Sequence, residues 1–322
     1  MQDSEEQQIE LAAQQYRKAL KLREALLADA RATQQPTYNF ELKLASSLNN
    51  VGNAEREIHH HDLARAYFLR SIAIKEKLKG KDSADLWVVL NNLGAMAQDE
   101  GDFVTAEINY RRALKVLEPV ADAGKNTALV LDLVPTLNNL AELESTESHL
   151  AEAEPYLRRA LAIAEKIAGK ASVHAAAKLD NLGVLFLLEQ KLAGAEELMR
   201  RALLIWTREL GSDDKRSATT MHHLVQALGL QKRYIEAEVL LKEELKIWEK
   251  LEGENGKNRG LALVELGTLK YAKRETKEAR RILAQAIAIL EPKLDVGDPE
   301  LTRTRAIYAR TIGKGNAKGF VR

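Results

Sequence analysis

Cysteine is absent from the 322-residue chain. That removes disulfide frameworks, thiolate nucleophiles and cysteine-based zinc sites together, and it suits cytosol and periplasm alike. Proline is scarce at 6 residues and aromatics make up 5%, so little in the composition opposes helix. Neither charge sign prevails. The 48 Lys and Arg against 47 Asp and Glu leave a formal charge of +1, without the basic excess that a nucleic-acid partner requires. No apolar run reaches the roughly 18 residues of a membrane-spanning helix. The opening MQDSEEQQ is acidic and polar and does not read as a signal peptide. Catalytic wording is missing as well: no HExxH, no Ser-His-Asp wording, no dinucleotide fingerprint. The GKGNAKG near the end lacks the flanking strand and helix of a phosphate loop, and reads as part of a flexible tail over 313–322. The expectation is a non-enzymatic protein with no cofactor and no metal.

What is present is a repeat. Residues 90–119 read LNNLGAMAQDEGDFVTAEINYRRALKVLEP. Apolar and small residues recur at helical spacing at Leu90, Leu93, Gly94 and Ala97. The pattern breaks at Gly101-Asp102 and resumes at Phe103, Ala106, Tyr110, Ala113 and Leu117. Two amphipathic helices joined by a tight turn satisfy that pattern. Gly94 and Ala106 are expected to let the two axes approach closely. The small slot recurs as Gly52, Gly94, Ala141, Gly183, Val225 and Gly267, at intervals of 42, 47, 42, 42 and 42 residues. The second slot is alanine throughout: Ala64, Ala106, Ala153, Ala195, Ala237 and Ala279. Self-similarity at one period marks stacked repeats, each burying the face its neighbour leaves open.

The internal pattern is a small residue in the first helix, alanine twelve on, an aromatic or leucine four further and alanine three further. It resembles the tetratricopeptide repeat. HEAT and armadillo repeats share the period range of about 40–47 residues but not this pattern. The long period and the wording LNNLG…AE…YRRALKVLE are similar to the kinesin-light-chain variety, over residues 44–292. The resemblance implies an all-α fold, a right-handed superhelical solenoid of six helix-turn-helix repeats with a lone capping helix at each end. On this reading 1–32 is the N-terminal cap, built around Ala12, Tyr16 and Ala19, and 33–43 is a linker. Residues 293–312 form the C-terminal cap, a first helix with Ala309 in the small slot. The five extra residues near 120–130 form a loop or lengthen a helix, and Pro155 bends its helix locally.

Such folds serve many unrelated partners. The resemblance implies a scaffold that binds a peptide segment of a partner protein in a concave groove lined by the first helices. The alternatives are a regulatory or sensory domain of a larger protein, and a scaffold that self-assembles through its end helices instead of staying monomeric. The groove candidates precede the small slot in each copy: Asn49/Asn50, Asn91/Asn92, Asn138/Asn139, Asp180/Asn181, His222/His223 and Val264/Glu265. Asparagine is a poor helix-interior residue. Its carboxamide donates and accepts at once, which suits either the backbone of an extended peptide or a bond to the neighbouring repeat. One turn further the first three repeats are polar, with Asn53, Arg56, Gln98, Asp99 and Glu142. The last three offer Val184, Leu187, Leu188, Leu230, Leu261 and Tyr271, which suggests an apolar anchor on the partner. Trp87, Trp206 and Trp248 read as packing residues. In the triplet His59-His60-His61, His61 reads as partly buried and the other two as solvated, since consecutive residues at a helix end point in different directions and converge poorly on one ion. His222-His223 beside Asp180 is the one other cluster with ligand-type side chains.

Overall fold

Each pair of apolar runs closes into an antiparallel helical hairpin. The computed structural model describes residues 2–122 and 127–313, and the 314–322 part of the expected tail lies outside the described residues. Fourteen α-helices follow in order: α1 (Gln2–Ala32), α2 (Tyr38–Glu57), α3 (His61–Lys79), α4 (Trp87–Asp99), α5 (Phe103–Asp122), α6 (Thr127–Thr146), α7 (Leu150–Ala168), α8 (Val173–Leu188), α9 (Leu192–Leu210), α10 (Lys215–Leu230), α11 (Tyr234–Glu252), α12 (Lys257–Ala272), α13 (Thr276–Leu290) and α14 (Pro299–Thr311). There is no strand among the described residues. Contacts divide the chain into two units, Met1–Ile163 and Ala164–Arg322. The first contains the hairpins α2/α3, α4/α5 and α6 with most of α7. The second contains α8/α9, α10/α11, α12/α13 and then α14.

The linker expected over 33–43 is shorter. The helix of the first hairpin begins at Tyr38, because only Pro36 interrupts an otherwise helix-compatible stretch. The extra residues before the third repeat lengthen a helix: α6 spans 20 residues against 16 in α8. Helix α7 runs through Pro155 without a break in its assignment.

All six alanines of the second slot are fully buried. The glycines also accommodate a side chain that the spacing did not point to. A Cβ placed on Gly94 would lie 2.7 Å from the Tyr110 ring, and one on Gly52 would lie 2.6 Å from Phe68. On Gly183 it would meet Met199 at 2.9 Å, and on Gly267 Leu283 at 2.6 Å. The glycine therefore makes room for the large side chain sixteen residues on, and at Gly183 the backbone oxygen of Ala195 also lies 3.5 Å from that Cβ. Where the slot is filled, by Ala141 or Val225, that side chain is Leu157 or Leu241, smaller than the rings of Phe68 and Tyr110 that glycine admits.

The first helix of every hairpin ends in the same way. Residues His59, Gly101, Ser148, Gln190, Lys232 and Arg274 all have φ between 60° and 76°. The next residue's N–H reaches back five positions, as in His60 to Glu55 (2.8 Å), Asp102 to Ala97 (2.9 Å) and Arg233 to Leu228 (2.9 Å). This is the Schellman closure, for which glycine is the usual left-handed residue. Only Gly101 follows that custom.

Helix α1 docks by an unexpected face. Ala13, Leu20, Leu27 and Ala30 are its buried line, with Leu20 and Leu27 packed on Leu44, Leu48 and Val51. Arg17 bonds the fully buried Glu55 at 2.6 and 2.8 Å. The repeat-like Ala12, Tyr16 and Ala19 stay exposed.

Candidate functional site

The paired residues before the small slot form a ladder between repeats. In the first unit Asn92 Nδ2 donates to Asn49 Oδ1 at 2.9 Å, and Asn139 Nδ2 reaches Asn91 Oδ1 at 3.5 Å. Asn91 also donates to Thr136 Oγ1 at 2.7 Å. In the second unit His223 Nδ1 lies 3.2 Å from Asp180 Oδ2. In these three cases the second member of one pair meets the first member of the pair before it, whereas Asn138 Oδ1 is buried without a hydrogen-bond partner among the described residues. Asn49 and Asn91 are buried, Asn50 and Asn181 are exposed, and Asn138 and Asn139 lie between. Asn49, Asn91, Asn92 and Asn139 thus bond to the neighbouring repeat, while Asn50 and Asn181 face solvent. The polar turn beyond them is also occupied. Arg56 pairs with Asp99 at 2.6 Å, and Tyr110 donates to Gln98 at 3.0 Å.

The histidine clusters are held as ring contacts: His59 stacks on His61 at 5.9 Å and His222 meets His223 edge-on at 6.3 Å between ring centroids. His59 and His60 are exposed and His61 is half-buried, with His60 bonded to Glu55 at 3.1 Å. Among the described residues no group of three or more His, Cys, Asp or Glu is arranged to hold a metal. His223 takes Asp180, and His222, edge-on to His223, meets Glu244 at 3.1 Å. Glu244, 1% exposed, stands in a slot that holds alanine or serine in the other repeats, and it also accepts from Trp248 at 3.3 Å. Burial opposes a charge on His222, yet the Glu244 carboxylate, helped by Glu265 and Glu300, raises its pKa above the ordinary imidazole value.

The apolar stretch of the second unit encloses space. A cavity of about 450 Å³ is lined by Leu187 and Leu188 from α8, Val225, Gln226, Gly229 and Leu230 from α10, and Glu265, Thr268, Leu269 and Ala272 from α12, with Gln190, Tyr234 and Arg303 at its edges. This volume falls in the range of small ligand sites, roughly 300–1,000 Å³. Leu187 is buried in its wall, while Leu188 and Leu230 are 54% and 52% exposed at its rim. Of the residues expected here, Val184 packs against the core, Leu261 lines a second cavity of about 280 Å³, and Tyr271 lines neither.

Gly229 is the residue that the sequence reading passed over. It occupies the slot held by Leu187 one repeat earlier and by Tyr271 one repeat later. Its backbone does not need glycine, since the left-handed residue of this turn is Lys232. Apart from its chain neighbours and the adjacent backbone of its own helix, no atom lies within 4 Å of where its Cβ would be. A missing side chain between two large ones leaves the pocket open.

Comparisons with known proteins agree with this architecture. A family model described as Tetratricopeptide repeat matches residues 43–119, 173–250 and 216–291, and a second of the same description matches 136–174. No curated protein matches by sequence. Among solved structures, BtubC (BKLC) from P. vanneervenii is 20% identical with a TM-score of 0.53, covering 89% of this chain and 97% of that one. A tetratricopeptide repeat protein from Parabacteroides merdae is 14% identical with a TM-score of 0.53, covering 95% and 99%. A signal-transduction ATPase with a tetratricopeptide repeat sensor, from Pyrococcus horikoshii, is 14% identical with a TM-score of 0.59, covering 85% of this chain and 40% of that one. At these identities the likeness speaks for the fold.

Proposed function

The chain belongs to the tetratricopeptide repeat family, in the long-period variety that resembles kinesin light chains, and from that premise we propose that it is a binding scaffold. Its second unit captures an extended segment of a partner protein by an apolar side chain seated in the pocket of Leu187, Val225, Gly229 and Leu269. The family supports protein–protein interaction in general, and the observation that carries the finer reading is Gly229. Alanine is better than glycine in a helix by roughly 1 kcal/mol, and nothing around Gly229 excludes a side chain. Exposed Leu188 and Leu230 supply the apolar rim that an anchor site needs. The polar first unit contributes a frame whose asparagines join repeats. Among the described residues no helix is long and apolar enough to cross a membrane.

Gly229→Leu tests the reading, because it fills the cavity from a position where a Cβ meets open space. Peptides selected on the wild-type chain from a library of random linear sequences should lose at least about tenfold in affinity on this variant, the equivalent of about 1.4 kcal/mol. Its melting temperature should hold or rise. Equal affinity for both proteins would remove the pocket from the account.

A further inference from the structure

We infer that the occupant of this site is an extended segment that presents a large apolar side chain and, two residues away on the same face, a lysine or arginine. The inference rests on the anchor reading above and adds the chemistry of the second contact.

The second cavity adjoins the first. It is lined by His222, Leu261, Asp298 and Glu300 among others, and it shares Gln226 and Glu265 with the apolar cavity. The shared pair forms the partition. On α10 the apolar cavity reaches Gly229 and Leu230 while the second reaches back to His222. On α12 the corresponding residues are Leu269 and Ala272 against Leu261. Averaged over the residues each helix contributes, Lys257 included, and at about 1.5 Å of rise per helical residue, the two centres are offset by roughly 5 Å along α10 and roughly 11 Å along α12. Side chains two apart on an extended chain share a face and are spaced about 6.6–6.8 Å, which falls between these two offsets.

The second cavity favours positive charge. Glu265, Asp298 and Glu300 line it against Lys257. Arg303 offsets part of that excess, at 3.5 Å from Glu265 and 3.2 Å from Glu300. Asp298 spends one oxygen on the backbone N–H groups of Glu300 and Leu301. Behind them Glu244 is buried with one oxygen unpartnered among the described residues. Three carboxylates on the cavity, with Glu244 buried behind His222, thus stand against two permanent cations. His222, on the wall of the cavity, already registers this field: its charged form is favoured despite burial. An acidic segment would meet uncompensated carboxylates, and a purely apolar one would leave the second cavity unused.

The experiment is a selection followed by titration. A phage-displayed library of random linear peptides is enriched on the full chain, and selected peptides are measured by fluorescence polarisation. The expected consensus is apolar-x-basic or its reverse. Replacing the basic residue by glutamine should weaken binding to the wild type by about fivefold to tenfold, and more at low salt than at high. Glu265→Gln should remove most of that difference, while Lys257→Gln should tighten binding of the basic peptide. Circular-dichroism melts establish that both variants are folded. A consensus with no basic position, one rich in Asp and Glu, or binding indifferent to Lys257→Gln would overturn the inference. If any of these holds while Gly229→Leu still abolishes binding, the apolar anchor survives and only the charge recognition falls. If Gly229→Leu has no effect, the anchor reading fails by itself.

Discussion

Asn91→Ala separates the two roles that an asparagine ladder can have. Asn91 is 6% exposed and Thr136 is fully buried. The 2.7 Å bond between them crosses from one repeat to the next, and the 3.5 Å approach of Asn139 is at the limit of a hydrogen bond and adds little. Loss of one well-formed bond costs about 1 kcal/mol, and a buried hydroxyl left without its partner costs about 1–3 kcal/mol. The Thr136 hydroxyl can turn to a carbonyl of its own helix, which holds the second cost toward its lower end. Alanine returns up to about 0.7 kcal/mol of helix propensity. The net expectation is a destabilisation of about 1–3 kcal/mol, a fall in melting temperature of roughly 2–10 °C for a unit of this size. Thermal melts and urea midpoints at constant slope measure it. Asn50→Ala, on an exposed neighbour, is the control and should stay within about 0.5 kcal/mol of wild type. The affinity of the folded Asn91→Ala protein for a selected peptide should not change. An unchanged melt together with lost binding would refute the structural reading and return these amides to the ligand.

Three further outcomes are expected. Gly94→Ala should cost about 1–2 kcal/mol, overpacking against the Tyr110 ring being partly offset by helix propensity. Adding Tyr110→Leu, which recreates the Ala141/Leu157 pair, should give a favourable coupling of at least about 0.5 kcal/mol in a double-mutant cycle, and strict additivity would contradict the cradle. Lys232→Gly, at an exposed left-handed position, should stabilise by up to about 1 kcal/mol, since the strain relieved, about 1–2 kcal/mol, exceeds the entropy lost. A destabilised variant would show the turn to be held by other forces. His222 carries a raised folded pKa and faces Glu244, Gln226, Glu265 and Glu300. Its contribution is therefore complete below the unfolded value of about 6.5 and is lost as pH rises through the folded value above it. Wild type should exceed His222→Gln in stability by a margin that narrows from about pH 6 to pH 9, and a pH-independent margin would exclude the ion pair.

The fold was legible because each repeat needs the next. The fully buried alanines at 64, 106, 153, 195, 237 and 279 mark the line where the helices pack, and one residue type at one period is visible without a structure. The turns were only partly legible. Gly101 announced its left-handed conformation, whereas Gln190, Lys232 and Arg274 adopt the same φ because the Schellman closure and the packing around it override their own preference. The binding face was the least legible. Leu187, Leu188 and Leu230 were identifiable as an apolar turn, but the cavity depends on what Gly229 lacks, and a glycine near a helix end carries a stronger prior as a cap. The pairing of His222 with Glu244 was hidden for another reason. The two lie 22 residues apart on different helices, and the signal lay in one repeat departing from alanine at the slot Glu244 fills.

Methyl NMR locates the partner most directly. With leucine and valine methyl groups labelled, a selected peptide should shift Leu187, Leu188, Val225, Leu230 and Leu269 around the cavity, and leave Leu48, Leu90 and Leu137 on α2, α4 and α6 in place. Shifts concentrated on those three helices, with the Leu187–Leu230 set unmoved, would contradict the assignment of binding to the second unit.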